Sequence, residues 1–354
     1  MSAGGDNSLK AVVVAVVVNG FITVLKFVGY VMTMSPSLLA ESIHSLADVA
    51  NQVLLWVGIR QSAKDATPEH PYGWGSARYL WNLKSAMGIF FLGSGVTIYH
   101  GLHAGYEALT KTEGQLAEEA AAAAKKAAEG SIDPEIVGIV ILVIAVILEG
   151  YSWWVAYKEV NASRGDVPWG DFIKKGDDPT GVGVLLEDTA AVGGVFLALG
   201  GLGLSKLLAN PIPDIVATVL IGILLGWVAI FLAKANGRLL IGAAVDSIQL
   251  ERIRKVLEDD PIVEKVEDLK TLVMGSGQMR VKCEVDLYEK LVASKIQDAL
   301  ADDARRLENG EQPMKVLVDV VGRSVRAAAN EIQRLDQKVQ EVAPNAVHID
   351  LELI

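Results

Sequence analysis

One cysteine in 354 residues, Cys283, has no second thiol to bond to or to share a metal with. An internal disulfide and a thiolate metal cluster each need at least two sulfurs, so both are excluded. Basic residues are in the minority: 32 Lys and Arg stand against 43 Asp and Glu, a formal charge of −11. Nucleic acid demands clustered cations for its phosphates, so it is not an expected partner, whereas cationic partners are. No HExxH or equivalent pattern with a general base occurs, which argues against an intramembrane metallohydrolase and against an enzyme. The opening MSAGGDNSLK carries neither a basic run nor a small-residue cleavage pattern. No removable targeting peptide is therefore expected, and the first apolar stretch is read as a span.

What is present divides the chain in two. A composition of 51% hydrophobic and 21% charged residues implies a lipid-embedded part and a water-soluble part. A crossing of a hydrocarbon core of about 30 Å takes about 20 mostly apolar residues. Stretches 11–32, 37–58, 83–102, 136–157, 181–204 and 212–233 meet that length, with the second and fifth interrupted by charge. Six spans put both termini on one side. One face collects Lys10, Arg60, Lys64, Arg78, Lys158, Arg164, Lys174, Lys175, Lys234 and Arg238; the other has Lys111, Lys125, Lys126 and Lys206. Cations accumulate in short cytoplasmic loops, so the termini are expected in the cytoplasm. Residues 113–130, alanine-rich with Glu118 and Glu119 ahead of Lys125 and Lys126, read as a solvated helical extension. The expected division is a transmembrane domain over 1–242 and a cytoplasmic domain over 243–354. In the latter, a helical period over 247–258, a hairpin of strands over 262–274 and 279–287, a helix over 323–342 and a last strand over 346–353 predict an α+β, roughly ferredoxin-like fold.

Ionisable residues inside a span are costly unless they face a polar interior, which makes each a functional candidate. Span 2 carries Glu41, His44 and Asp48, and the i, i+4 spacing of the last two stacks them on one helix face. Span 5 carries Glu187 and Asp188. At a rise of about 1.5 Å per residue, Asp48 and Asp188 lie roughly 11 and 12 Å from the cytoplasmic edge, at nearly one level. Imidazole nitrogen with carboxylate oxygens is a normal shell for Zn²⁺ and its first-row neighbours, while Mg²⁺ and Ca²⁺ favour oxygen alone. The competing reading is a structural polar network, for example His44 bonded to Asp48 or a helix-packing cluster.

Four stretches, SLLAESIHSLADVANQ, HPYGWG, LLEDTAAVGG and PIPDIVATVLIG, together with the order of spans and soluble domain, resemble the cation diffusion facilitators, the zinc transporter family. LLEDTAAV and the ending NAVHIDLEL are most similar to the branch whose animal members reside in mitochondria. The resemblance implies a homodimeric antiporter that exchanges Zn²⁺ for protons and exports it from the cytoplasm by alternating access. It also implies a transport site of two residues from span 2, matched by His44 and Asp48, and an HxxxD pair from span 5, of which only Asp188 is matched. Val184 stands at the histidine's place, leaving Glu187 or Asn51 as the further ligand, in that order, and Glu41 as an outer stepping site. Loss of that histidine makes the shell richer in oxygen and keeps Mn²⁺, Fe²⁺, Co²⁺ and Ni²⁺ open as cargo. A metal sensor or scaffold that does not transport is the reading from another class. A bacterial inner membrane is the expected location.

Other polar positions have plainer explanations. His70 is read as part of a structured loop, and His100 and His103 as interfacial anchors beside Tyr99 and Tyr106. His348 and Asp350 share one face of the last strand, a weak candidate site. Lys26 and Glu149 are span charges whose direct pairing requires their long side chains to bend towards each other. Asp214 either lines the exit or caps a helix.

Overall fold

The computed structural model describes residues 4–111, 134–164, 168–175, 179–275 and 277–354. The chain forms two compact units, Met1–Leu240 and Ile241–Ile354. The alanine-rich stretch over 113–130 lies outside the described residues.

The first unit is helical. Helices α1 (Gly4–Thr33) and α2 (Pro36–Ser62) are followed by α3 (Ala77–Gly88), a π-helical segment (Ile89–Val96) and α4 (Thr97–Thr110). After these come α5 (Pro134–Arg164), α6 (Trp169–Lys175), α7 (Pro179–Leu208) and α8 (Ile212–Ile241). Among the described residues, five helical stretches are long and apolar enough to cross a membrane: Val16–Thr33, Ala77–Thr110, Pro134–Ala162, Gly181–Leu208 and Ile212–Ile241. α2 is 27 residues long, but its polar residues keep it out of that set. The helices run past the apolar stretches, because backbone hydrogen bonding continues where the hydrocarbon ends.

Corners are made by local chemistry. Met34 turns the chain with φ of 55°, Ser35 caps α2 by accepting from Leu38 N, and Pro36 occupies the first turn, where its missing N–H costs nothing. Lipid tails are as apolar as leucine, so helices in a membrane associate through close packing rather than escape from water. Gly138 of α5 shows the device: a Cβ there would lie 2.8 Å from Thr33 Cγ2 and 2.9 Å from Leu38 Cδ1. α1, α2, α5 and α7 meet around Leu38, Ala40, Leu142, Ala145, Val195 and Ala198.

The second unit runs α9 (Ser247–Glu258), β1 (Val263–Gly275), β2 (Gln278–Leu287), α10 (Glu289–Ser294), α11 (Gln297–Glu308), α12 (Pro313–Val342) and β3 (Ala346–Leu353). Its three-stranded sheet has the order β1-β2-β3, with β1 antiparallel and β3 parallel to the central β2. β2 alternates strictly and buries Met279, Val281, Cys283, Val285 and Leu287; Ile253 and Leu257 of α9 and Leu335 and Val339 of α12 are buried as well, with α9 packed on β1 and α12 on β3. Thus the second unit is an α+β layer pair with a mixed three-stranded sheet.

Candidate metal centre

The polar residues of α2 recur every three or four positions: Ser37, Glu41, His44, Ser45, Asp48 and Asn51. That period places them on one helix face. The face is turned inward, with Ser37, Glu41, His44, Ser45 and Asn51 all buried. α1, α3 and α7 pack against this helix.

At the centre, His44 Nε2 stands 3.6 Å from Asp48 Oδ2, too far for a hydrogen bond. Neither ring nitrogen of His44 has a hydrogen-bond partner, although the side chain is only 3% exposed. Buried imidazoles are ordinarily satisfied, since an unpaired polar group removed from water costs about 1–3 kcal/mol. The structural network in which His44 bonds Asp48 is therefore not formed.

Asn51 links three helices. Its Nδ2 donates to Glu187 Oε2 on α7, and its Oδ1 accepts from the Ser85 hydroxyl on α3. Asp188, the next residue on an unbroken helix and so about 100° around it, turns to α5, where Ser152 Oγ donates to its Oδ2 at 3.0 Å. Asp48, Glu187 and Asp188 lie within reach of one another's charge. Yet among the described residues no three His, Cys, Asp or Glu side chains converge closely enough to hold one ion. The structure thus brings His44 to Asp48 and Asn51 to Glu187, and directs Asp188 elsewhere.

Val184 sits on the wall of a cavity of about 20 Å³ lined by Asn51, Asn82, Glu187 and Asn236. That is space for about one water. Asn236 Nδ2 donates to Leu232 O, while its Oδ1 and that of Asn82 are buried without partners. These two asparagines, with Ser85 and Ser152, were not among the residues singled out from sequence: uncharged side chains in a span carry no strong signal.

Elsewhere the candidates resolve one by one. Glu41 does not stand open as a stepping site; it is bonded to Lys26 Nζ, which also meets Glu149. Asp214 accepts from the hydroxyls of Ser35, at 2.7 Å, and Ser37, and so ties the start of α8 to the start of α2. His70 stacks on Trp74 with ring centroids 3.8 Å apart, in keeping with a structured loop. His103 lies 3.7 Å from Glu107 in an exposed pair. In the second unit Asp350 accepts from Arg280 Nε at 2.7 Å, so the carboxylate next to His348 is already engaged by a cation.

Comparison with known proteins adds the relationship. The cation efflux transmembrane domain model matches residues 12–241. Metal tolerance protein C4 of Arabidopsis thaliana is 32% identical over 98% of this chain and 74% of its own length. The mitochondrial proton-coupled zinc antiporter SLC30A9 of Homo sapiens is 31% identical over 98% of this chain and 58% of its own. Its Xenopus laevis counterpart is likewise 31% identical, over 98% and 59%. The chain spans somewhat under three fifths of these two antiporters. An inward-facing His/Asp face in a helical membrane unit, joined to an α+β unit and matched over most of the chain, has one consistent assignment: this multi-pass membrane protein belongs to the cation efflux family of transporters, not to an enzyme family.

Proposed function

We propose that the chain exchanges Zn²⁺ for protons, holding the ion between His44 and Asp48 of α2 and Asp188 of α7. Glu187 takes the place that Val184 leaves without a donor, and Asn51 orients it. The single observation that supports this most is His44, a buried imidazole beside a carboxylate with both nitrogens unpartnered. An imidazole of that kind is poised as a metal ligand. Asp188 and Glu187 are each held by one described hydrogen bond, to Ser152 and to Asn51. Exchange of those bonds for metal–oxygen bonds closes the shell, with side-chain rotation and modest helix movement.

The coupling follows from ligand chemistry. Metal binds neutral imidazole and ionised carboxylate, so protons arriving at His44 and an aspartate release the ion, and the ion's return expels them. One nitrogen among several oxygens discriminates weakly against Mn²⁺, Fe²⁺, Co²⁺ and Ni²⁺, which makes these the second choice of cargo. α2 serves as the sixth span, both termini face the cytoplasm, and the metal leaves the cytoplasm as protons enter. Residues 1–242 form the membrane part and 243–354 the cytoplasmic part. A homodimer joined through the soluble units is supported by α12, where Met314, Leu317, Val318, Val321 and Val325 form an exposed apolar stripe.

Uptake of radioactive zinc into proteoliposomes under a pH gradient tests the proposal. Wild type accumulates zinc and Asp48→Ala does not. Equal uptake by the two rejects the site, and no uptake of any metal by the wild type favours the sensor reading.

A further inference from the structure

Three charged side chains outside the proposed ligand set meet at one buried point. Lys26 of α1 places Nζ 2.7 Å from Glu41 Oε2 on α2 and 2.6 Å from Glu149 Oε1 on α5. Lys26 and Glu41 are fully buried and Glu149 is 7% exposed. One cation therefore serves two carboxylates. The oxygens facing away from it, Glu41 Oε1 and Glu149 Oε2, are buried with no hydrogen-bond partner. On the α7 side Gly194 packs against Glu41 Oε1, and its lack of a side chain is what admits the carboxylate.

The charges that face the cluster can be named helix by helix among the described residues. α1 contributes Lys26, α5 contributes Glu149, α2 adds His44 and Asp48 to Glu41, and α7 adds Asp188. Apart from the His44 imidazole, Lys26 is the single basic group in that set. Fully ionised, the triad carries one negative charge too many at a buried point, with two acceptor oxygens unmet by protein donors. Such an excess is removed by a proton on a glutamate, or offset by a positive ion nearby. His44 lies three residues from Glu41 on the same helix, so an ion bound there is a near neighbour across a low dielectric.

We propose that Lys26, Glu41 and Glu149 form a proton-binding site, separate from the metal ligands, that takes up one proton as the metal leaves and gives it back when the metal returns. This rests on the metal site proposed above. In the uptake step an O–H bond forms at Glu41 Oε1 or Glu149 Oε2, the cluster passes from one negative charge to none, and no electrons move. Lys26 stays charged and keeps both bonds throughout. The cluster thus adds a proton per ion to those displaced from the ligands themselves.

The test counts protons released when zinc binds the full chain in detergent, using a pH indicator in weak buffer, with zinc stoichiometry from calorimetry. Glu149→Gln leaves Lys26 and Glu41 as a balanced pair. It is expected to bind zinc at the wild-type stoichiometry, to release about one proton fewer per ion, and to lose about a factor of ten per pH unit from the pH dependence of zinc affinity. Equal proton release by wild type and variant overturns the proposal. No zinc binding by the wild type overturns this proposal and the metal site together, which separates the two failures. Should Glu149→Gln not fold, Glu41→Gln removes the same charge and is read the same way. Failure of both to fold makes the triad a structural requirement of the bundle and also overturns its role as a proton site.

Discussion

Lys26→Met keeps the length of the side chain and its apolar stem but removes the charge that Glu41 and Glu149 share. Two charge-assisted hydrogen bonds, of 2.7 and 2.6 Å, disappear together, and the glutamate that stays ionised in the metal-free cluster is left in the bundle with no counter-ion. Removing one partner of a buried ion pair costs about 3–5 kcal/mol, because the charge left behind has neither water nor partner. At about 2–4 °C per kcal/mol for a unit of this size, the melting temperature is expected to fall by roughly 6–20 °C. Replacement of all three residues, Lys26→Met with Glu41→Gln and Glu149→Gln, removes the stranded charge and is expected to recover most of the loss. Thermal unfolding in detergent, followed by helical circular dichroism, reads both variants. A shift below about 2 °C for the single change, or a triple variant no more stable than the single one, would refute a coupled buried triad.

Two further expectations concern the second unit. Asp260 accepts from Arg334 at 2.7 and 2.8 Å and from Lys338 at 2.6 Å, and the Arg334 hydrogen bonds above all hold its carboxyl well below the usual carboxylate range. A depressed value stabilises the fold above the unfolded pKa of about 4, and that contribution drains away as pH falls towards the folded one. Asp260→Asn is expected to cost about 2 kcal/mol at neutral pH, below the fully buried case because Arg334 and Lys338 are more than a third exposed, and to flatten the loss of stability between about pH 4 and 2. Chemical denaturation across that range checks it; parallel curves for the two proteins would contradict it. Cys283 is buried in β2, and burial pushes its thiol up to about 11. Maleimide labelling at neutral pH is expected to be slow in the folded protein and to rise with denaturation of the sheet; rapid labelling of native protein would be inconsistent with the packing described.

The elements of the α+β unit were the most legible part of the fold. Ser247–Glu258 and Ala346–Leu353 fall where period and turn residues place them. α12 begins ten residues earlier than its apolar stripe suggests, at Pro313 rather than Arg323. Its first turns direct Leu317, Val318 and Val321 outward, so they add nothing to an inward pattern. The paired spacing of His44 and Asp48 was visible because both lie on one helix. The orientation of Asp188 was not, since Ser152 lies on a different helix and its hydroxyl gives no sign of its partner. Lys26 and Glu149 are 123 residues apart, and their meeting depends on how α1 and α5 cross. His348 and Asp350 looked like a pair on one strand face; the neighbouring strand supplies Arg280 opposite His348, within reach of Asp350.

The ties at the Ser35 end of α2 bear on how the bundle is held. Met34 makes the corner with α1, Lys26 bonds Glu41, and Asp214 gathers Ser35 and Ser37 from α8. Three helices are riveted there by charge and by a very short corner, whereas the Asn51 end meets α7 through one amide contact beside a cavity. The Ser35 end of α2 is thus held from α1 and α8 by charge and hydroxyl contacts, while the Asn51 amide joins α2 to α3 and α7 further along.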